Sequence, residues 1–128
     1  MFTKYIICVL LPLTSLFLGI STAIAANAPP ANVASPGVYK LLAENAQWRV
    51  LEATWQPGQE DNFHYHPGDR VSLFQTDCKL RLIRPDGTYK DVFPKAGTAK
   101  VRTGKPVEAH KARNIGDKAC TLRIVELK

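Results

Sequence analysis

Two of the three histidines in this chain of 128 residues are separated by a single residue, in the stretch NFHYHPGDR over residues 62–70. In an extended strand, side chains two positions apart project from the same face, so His64 and His66 would lie roughly 7 Å apart along the chain. Two imidazoles at that spacing can close onto one metal ion. A third ligand must come from elsewhere, and the remaining histidine is His110. The alternative is that all three are polar side chains that bind no ion.

The elements that must position these histidines are short apolar stretches separated by turn residues. WRVLEATW (48–55) and CTLRIVEL (120–127) are two of them. Such spacing is too close for helices of ordinary length and is typical of a β-sandwich or barrel. The strongest hairpin signal is RPDGT (84–88), because proline presets the first turn angle and glycine accepts a left-handed backbone. The sequence predicts a single all-β domain, with at most one helical turn around Leu41–Asn45.

Residues 1–25 have the layout of a secretory signal peptide. One early lysine is followed by an apolar run, broken by Pro12, and by the small-residue sequence Ala23-Ile24-Ala25. This pattern predicts cleavage near Ala25. An uncleaved membrane anchor fits less well, because Tyr5 to Ile20 is shorter than the ~20 apolar residues of a spanning helix. We therefore expect export, most simply to a bacterial periplasm, with no membrane span after cleavage.

The chain after the signal peptide is basic and divides into two parts. Residues 26–37 are rich in proline, alanine and asparagine, which predicts a flexible lead-in, and residues 38–128 form the predicted barrel. The full chain carries 17 basic and 11 acidic residues, a net charge of +6, and loss of Lys4 reduces it to +5. The basic residues are spread out without a run or interleaved aromatics. That pattern argues against a nucleic-acid partner and for a solvated surface that attracts small anions.

Two cysteines remain once Cys8 leaves with the signal peptide. Cys78 and Cys120 each open an apolar strand face, by the two-residue period of strands. An exported pair of this kind favours a disulfide, because the compartment beyond the inner membrane is oxidising. The alternative is a pair of buried free thiols.

The stretches PGQEDNFHYHPGDRVSLFQTDCKLRLIRPDG and FPKAGTAKVRTGKPVEAHKARN resemble the cupins. These are small jelly-roll barrels with the motifs G-x5-H-x-H-x3,4-E-x6-G and G-x5-P-x-G-x2-H-x3-N. Gly58, His64 and His66 match the first motif, and His110 with Asn114 matches the end of the second. The resemblance covers the whole mature domain, and it implies a cupin-type jelly roll similar to the cupin 2 conserved barrels.

The chain departs from the cupin motifs at positions that carry function. Where the first motif has glutamate, this sequence has Arg70 and Val71. Glu108, two residues before His110, could replace that acid if the two share a strand face. An inward Arg70 would repel a divalent cation and favour an anionic ligand, whereas an outward Arg70 would leave the site short of one ligand. The sequence leaves the direction of Arg70 open.

The resemblance to metal-binding cupins implies His64, His66 and His110 as ligands, with Glu108 or water completing the shell. Three imidazoles suit iron, zinc, nickel or copper. Arg70 and Tyr65 are candidate ligand-binding residues, although Tyr65 is also readily explained by packing.

Two functions follow from this set of residues. The first is a non-catalytic barrel that binds a small molecule, or acts in envelope interactions, and keeps the histidines as a degenerate metal site or as polar lining of the pocket. The alternative is a mononuclear metal-dependent enzyme, an oxygenase or isomerase, acting on a small anionic substrate. The family also implies a homodimer, formed through an edge strand such as Val38 to Leu42.

Overall fold

The computed structural model describes residues 28–128, so the predicted signal peptide and Cys8 lie outside the described residues. Within these residues one short helix precedes nine strands, which confirms the all-β prediction. None of the helices in residues 28–128 is long and apolar enough to cross a membrane. The elements are α1 (Ala31–Ala34), β1 (Tyr39–Glu44), β2 (Trp48–Trp55), β3 (His64–His66), β4 (Arg70–Phe74), β5 (Leu80–Ile83), β6 (Tyr89–Val92), β7 (Ala99–Arg102), β8 (Val107–Asn114) and β9 (Cys120–Leu127).

The strands form two antiparallel sheets with the apolar core between them. One sheet has the order β1-β2-β9-β4-β7 and the other β3-β8-β5-β6. Side chains alternate between the interior and the outside along β2 and β9, as the two-residue period requires. Trp55 is therefore buried in the core while Trp48, at the other end of β2, is 44% exposed.

The hairpin predicted at residues 84–88 is present and joins β5 to β6. Gly87 takes the left-handed backbone that the turn requires, with φ 84°. Its N–H donates to the carbonyl oxygen of Arg84 at 2.9 Å. The turn therefore fixes the register in which Leu80 and Leu82 face the interior.

A disulfide joins Cys78 to Cys120, the arrangement that the strand pattern favoured. Cys120 opens β9 in the five-stranded sheet, and Cys78 precedes β5 in the four-stranded sheet. Both residues are buried. The bond therefore ties the two sheets together at one end of the barrel.

The helical turn predicted at Leu41–Asn45 was wrong. Residues Tyr39–Glu44 form β1, which pairs with β2 and carries a bulge between Leu41 and Ala43. Burial of the Tyr39 ring in the core and the hydrogen bonds to β2 outweigh the local preference of this apolar stretch.

The described part of the lead-in, residues 28–37, contacts the barrel, in contrast to the flexible segment that its composition predicted. Ala31, in α1, is fully buried in the core. The N–H of Tyr65 donates to the carbonyl oxygen of Pro29 at 3.1 Å, and the N–H of Asn62 donates to Ser35 Oγ at 2.8 Å. Composition could not reveal this packing, because a small alanine side chain fits against the barrel only where the fold leaves room for it.

Candidate metal centre

The three histidines converge between β3 and β8. His64 lies opposite His110 in the antiparallel register of these strands, and His66 follows two residues along β3. Their candidate ligand nitrogens all lie within 4.8 Å of one another. His64 and His66 are buried, while His110 is half-buried. The structure thus brings together the three residues that the sequence nominated.

Backbone carbonyls hold two of the rings in one orientation. Nδ1 of His64 lies 2.8 Å from the carbonyl oxygen of Asn62, and Nδ1 of His110 lies 3.1 Å from that of Glu108. Because a carbonyl oxygen only accepts, each Nδ1 carries the hydrogen and each Nε2 keeps its lone pair. That tautomer is the one that can ligate a metal through Nε2.

A carboxylate holds the third ring in the same way. Nδ1 of His66 lies 2.5 Å from Oε1 of Glu126, so this ring also directs an unprotonated Nε2 toward the cluster. Pairing of a ligand histidine with a carboxylate is common in metal centres, where it fixes the ring and raises its basicity. The Nε2 atoms of His64 and His66 are 3.2 Å apart. Two nitrogens bound to one ion at ~2.0–2.1 Å lie about 2.9–3.4 Å apart, so the spacing of this pair fits a metal. The 4.8 Å bound on the three candidate nitrogens is wider, so the rings would draw closer together around an ion.

Glu126 is the most important residue that the sequence reasoning missed. It is fully buried, and its Oε2 accepts hydrogen bonds from Nε and Nη2 of Arg49 at 2.9 and 2.7 Å. Burial favours the neutral acid, but the contacts with His66 and Arg49 outweigh it and lower the pKa of Glu126. The signal was available: in CTLRIVEL, Glu126 shares the face of Cys120 and the apolar residues, where an unpartnered acid would be costly.

A row of four charged side chains crosses the sheet beside the histidines. Arg49 on β2 pairs with Glu126 on β9, Glu126 pairs with Arg70 on β4, and Arg70 pairs with Arg102 on β7. Three cations thus accompany one acid. Their excess positive charge favours an anion at this end of the barrel.

Arg70 points toward the histidines, which answers the question that the sequence left open. Its charge lowers the pKa of His64, His66 and His110, although less than burial does. Among residues 28–128, its buried Nη1 atom has no hydrogen-bond partner. A buried guanidinium nitrogen that lacks an acceptor is costly, so a bound anion would find a donor ready for it.

Burial also sets the charge state of the three rings. It lowers the pKa of His64, His66 and His110 to about 4 each, with help from mutual repulsion and from Arg70. The rings are therefore neutral near pH 7. Neutral imidazole is the form that binds a metal.

Glu108 is not part of the cluster. It is exposed, and only its backbone carbonyl contacts His110. The reason is an irregularity in the pairing: His64 pairs with His110 but His66 pairs with Val107, so two steps on β3 match three on β8. The extra residue breaks the alternation that would have placed Glu108 on the His110 face.

Tyr65 also lies apart from the histidines, because successive side chains of β3 point to opposite sides. It is 37% exposed. It lines a separate cavity of about 420 Å³, together with Pro67, Gly68 and Pro106. Of the two candidate ligand-binding residues, Arg70 on β4 therefore faces the histidines and Tyr65 on β3 faces away from them.

A buried tyrosine and aspartate, also missed by sequence reasoning, adjoin His64. The Tyr39 hydroxyl lies 3.0 Å from Asp61 Oδ2 and 3.1 Å from His64 Nε2, and its one proton can serve either. Asp61 also accepts from Trp55 Nε1 and from the N–H of Ala112. Burial raises the pKa of Asp61 to about 6 and that of Tyr39 well above its usual value. No short spacing could reveal this group, because Tyr39 is 25 positions from His64.

Comparison with solved structures identifies the fold. A cupin domain from Bordetella pertussis superposes with a TM-score of 0.62 at 24% identity, covering 80% of this chain and 97% of that one. A sugar phosphate isomerase from a cupin superfamily, from Silicibacter pomeroyi, gives 0.52 at 18% identity, covering 81% and 68%. A cupin-like protein from Thermotoga maritima gives 0.50 at 17% identity, covering 69% and 65%. No family model and no curated protein matches the sequence. The chain thus has the cupin fold, as the motifs implied.

Proposed function

We propose that this cupin-fold protein binds one divalent transition metal through Nε2 of His64, His66 and His110 and holds a small anion beside it. The observation that carries the proposal is the cluster of three imidazoles whose Nδ1 atoms are each held by an acceptor, which leaves every Nε2 lone pair available to an ion. Three neutral imidazoles suit zinc, iron, nickel or copper. When bound, such an ion supplies a Lewis acid with coordination positions open to a ligand.

Arg70 supports an anionic ligand. It stands where the cupin motif has glutamate, and its charge adds to that of the ion instead of offsetting it. The buried Nη1 atom has no acceptor within the described chain, and Arg102 lies opposite on β7. A carboxylate between the ion and Arg70 would offset both charges and accept the available hydrogen bond.

Cobalt substitution tests the proposal, because Co²⁺ is visible in absorption and accepts the ligands that suit zinc. We expect the cobalt protein to develop visible bands that change on addition of acetate. Arg70→Gln should retain the bands and weaken the acetate response, while Arg84→Gln, at an exposed position on the hairpin, should behave as wild type. Failure to bind cobalt, or a spectrum indifferent to acetate, would contradict the proposal.

A metal-dependent isomerase or oxygenase is the second candidate, and the Tyr39–Asp61 pair favours it. These buried groups can hold a proton within reach of a molecule bound at the histidines. The Silicibacter pomeroyi structure with this fold is described as a sugar phosphate isomerase. Turnover of sugar phosphates that is lost in Asp61→Asn, with metal content unchanged, would establish an enzyme; no turnover in metal-loaded wild type would leave the binding role.

Export from the cytoplasm is also part of the proposal. The disulfide supports it, because such bonds persist in oxidising compartments such as the periplasm. Fractionation of cells that produce the full chain tests it, with cleavage near Ala25 as the expected result.

A homodimer through β1 is proposed as well. The strand lies at the edge of its sheet, and Leu41 and Leu42 are each more than 40% exposed. Light scattering tests this directly, since a monomer at high concentration would exclude it.

A further inference from the structure

Besides the cavity beside Tyr65, another cavity lies between the two sheets, next to the histidines. The cavity has a volume of about 210 Å³, and His66 forms part of its wall. This is below the ~300–1000 Å³ of sites for drug-sized molecules, so a ligand must be small. Most of the wall is apolar and comes from both sheets, including Trp55, Phe74, Leu80, Leu82, Leu122 and Ile124.

The polar part of the wall consists of Tyr39, His66 and Ser72 together with three cations. The cations belong to two edge strands. β6 ends one sheet and β7 ends the other. Their inward positions carry Lys90, Lys100 and Arg102, all exposed at the rim of the cavity. Lys90 lies opposite Leu82 in the register of the hairpin, and Lys100 Nζ lies 5.5 Å from the centroid of the Phe74 ring. Among the described residues that form the wall, none is an aspartate or glutamate.

Building on the proposed small-ligand role, we infer that the ligand is a monocarboxylate with a short apolar body. The body packs on the apolar wall, and the carboxylate lies at the cationic side, beside Lys90, Lys100 and Arg102. Arg102 pairs with Arg70, so this side adjoins the anion position proposed next to the histidines. A sugar or other polyol would have to bury most of its hydroxyl groups against Phe74, Leu80 and Leu122, which offer no hydrogen bonds from their side chains. Apart from the cations, only the side chains of Tyr39, His66 and Ser72 in this wall could partner those hydroxyls. The lysines also predict weaker binding of a neutral alcohol of the same length, which gains nothing from their charge.

Inward lysines on edge strands can also serve only to prevent pairing with another sheet. The two roles differ in what the lysines do to a ligand. If they only protect the edges, neutral and acidic ligands of equal length will bind alike. If they bind the carboxylate, the acid will bind more tightly and the difference will depend on Lys90 and Lys100.

Tryptophan fluorescence gives the measurement, because Trp55 lines the cavity. The probes are acetate, butyrate and hexanoate, with hexanol as the neutral match for hexanoate. We expect affinity to rise by about fourfold per added methylene. Hexanol should bind at least about tenfold more weakly than hexanoate. Lys90→Gln/Lys100→Gln should weaken hexanoate by about tenfold or more, and Lys40→Gln, on the exposed part of β1, should not.

Each titration is run on metal-free and on zinc-loaded protein, with zinc content measured in the same samples. An affinity that rises with chain length from acetate to hexanoate, and that depends on Lys90 and Lys100, supports the inference in either sample. Equal affinity for hexanol and hexanoate, or no gain from acetate to hexanoate, overturns it even where zinc binds. Failure to take up zinc contradicts only the proposed metal centre.

Discussion

Glu126 and His66 lie on opposite sheets and meet in the barrel interior, where Oε1 of the carboxylate is 2.5 Å from Nδ1 of the ring. The other oxygen accepts both hydrogen bonds from Arg49. One buried acid therefore orients a candidate metal ligand and offsets a buried cation. Stability and metal affinity should both depend on it.

Replacing Glu126 with glutamine should weaken both properties. The neutral amide leaves the Arg49 charge buried without its partner, and removal of one member of such a pair costs about 3–5 kcal/mol. Loss of the carboxylate behind His66 should lower zinc affinity by about 10–100-fold. Urea unfolding and competition with a zinc chelator measure the two effects. Glu44→Gln, which removes only a surface ion pair with Lys128, is the control and should change stability by less than about 1 kcal/mol.

The metal-free protein should lose stability as pH falls from about 6.5 to about 4. Burial lowers the pKa of His64, His66 and His110 to about 4 in the folded state, so the unfolded chain binds more protons throughout this window. Asp61, whose pKa is raised to about 6, has the opposite effect, because the folded protein binds its proton more readily than the unfolded chain does. One such group does not offset the three histidines. Urea unfolding of chelator-treated protein at several pH values tests this. A stability that is flat or rises on acidification would contradict the prediction, and His110→Gln should make the loss shallower.

Loss of the disulfide should destabilise the barrel by about 4 kcal/mol, because the bond closes a long loop in the unfolded chain. The Cys78 and Cys120 positions are 42 residues apart. The comparison is urea unfolding of wild type against Cys78→Ala/Cys120→Ala. Two titratable thiols in protein purified from the periplasm would show instead that the bond does not form there.

Gly68→Ala should destabilise the loop that follows β3. A Cβ atom on Gly68 would lie 1.7 Å from the carbonyl oxygen of Gly104, which is in the loop between β7 and β8. The loop after β3 and this second loop must therefore separate, at a cost of about 1–3 kcal/mol. Gly37→Ala is the matched control, since no atom lies within 4 Å of its Cβ position. Equal stability of the two variants, measured by thermal unfolding, would mean that the loops do not approach this closely.

The barrel and the three histidines were predictable because both leave local patterns. Strands of period two, the hairpin at 84–88 and the spacing of His64 and His66 can all be read along the sequence. The disulfide was favoured for the same reason, since Cys78 and Cys120 each open an apolar face.

The surroundings of the histidines were less accessible, because they depend on strand register. The irregular pairing of β3 with β8 moved Glu108 out of the cluster, and nothing in VEAHKARN marks it. Tyr39 reaches His64 only because β1 is buried as a strand, and the sequence predicted a helical turn there. Glu126 was visible as an acid on an apolar face, but its partner Arg49 is identified only once β2 and β9 are known to be neighbours.

The most direct measurement of the central claim is elemental analysis of residues 26–128, purified without a histidine tag or chelator. We predict about one equivalent of iron, zinc, nickel or copper in wild type, bound by the three imidazoles. Glu108→Gln should retain that metal, whereas His64→Ala/His110→Ala should lose it while keeping a β-rich circular dichroism spectrum. No metal in wild type and no uptake from added salts of the four metals, or equal metal in the double variant, would contradict the proposed centre.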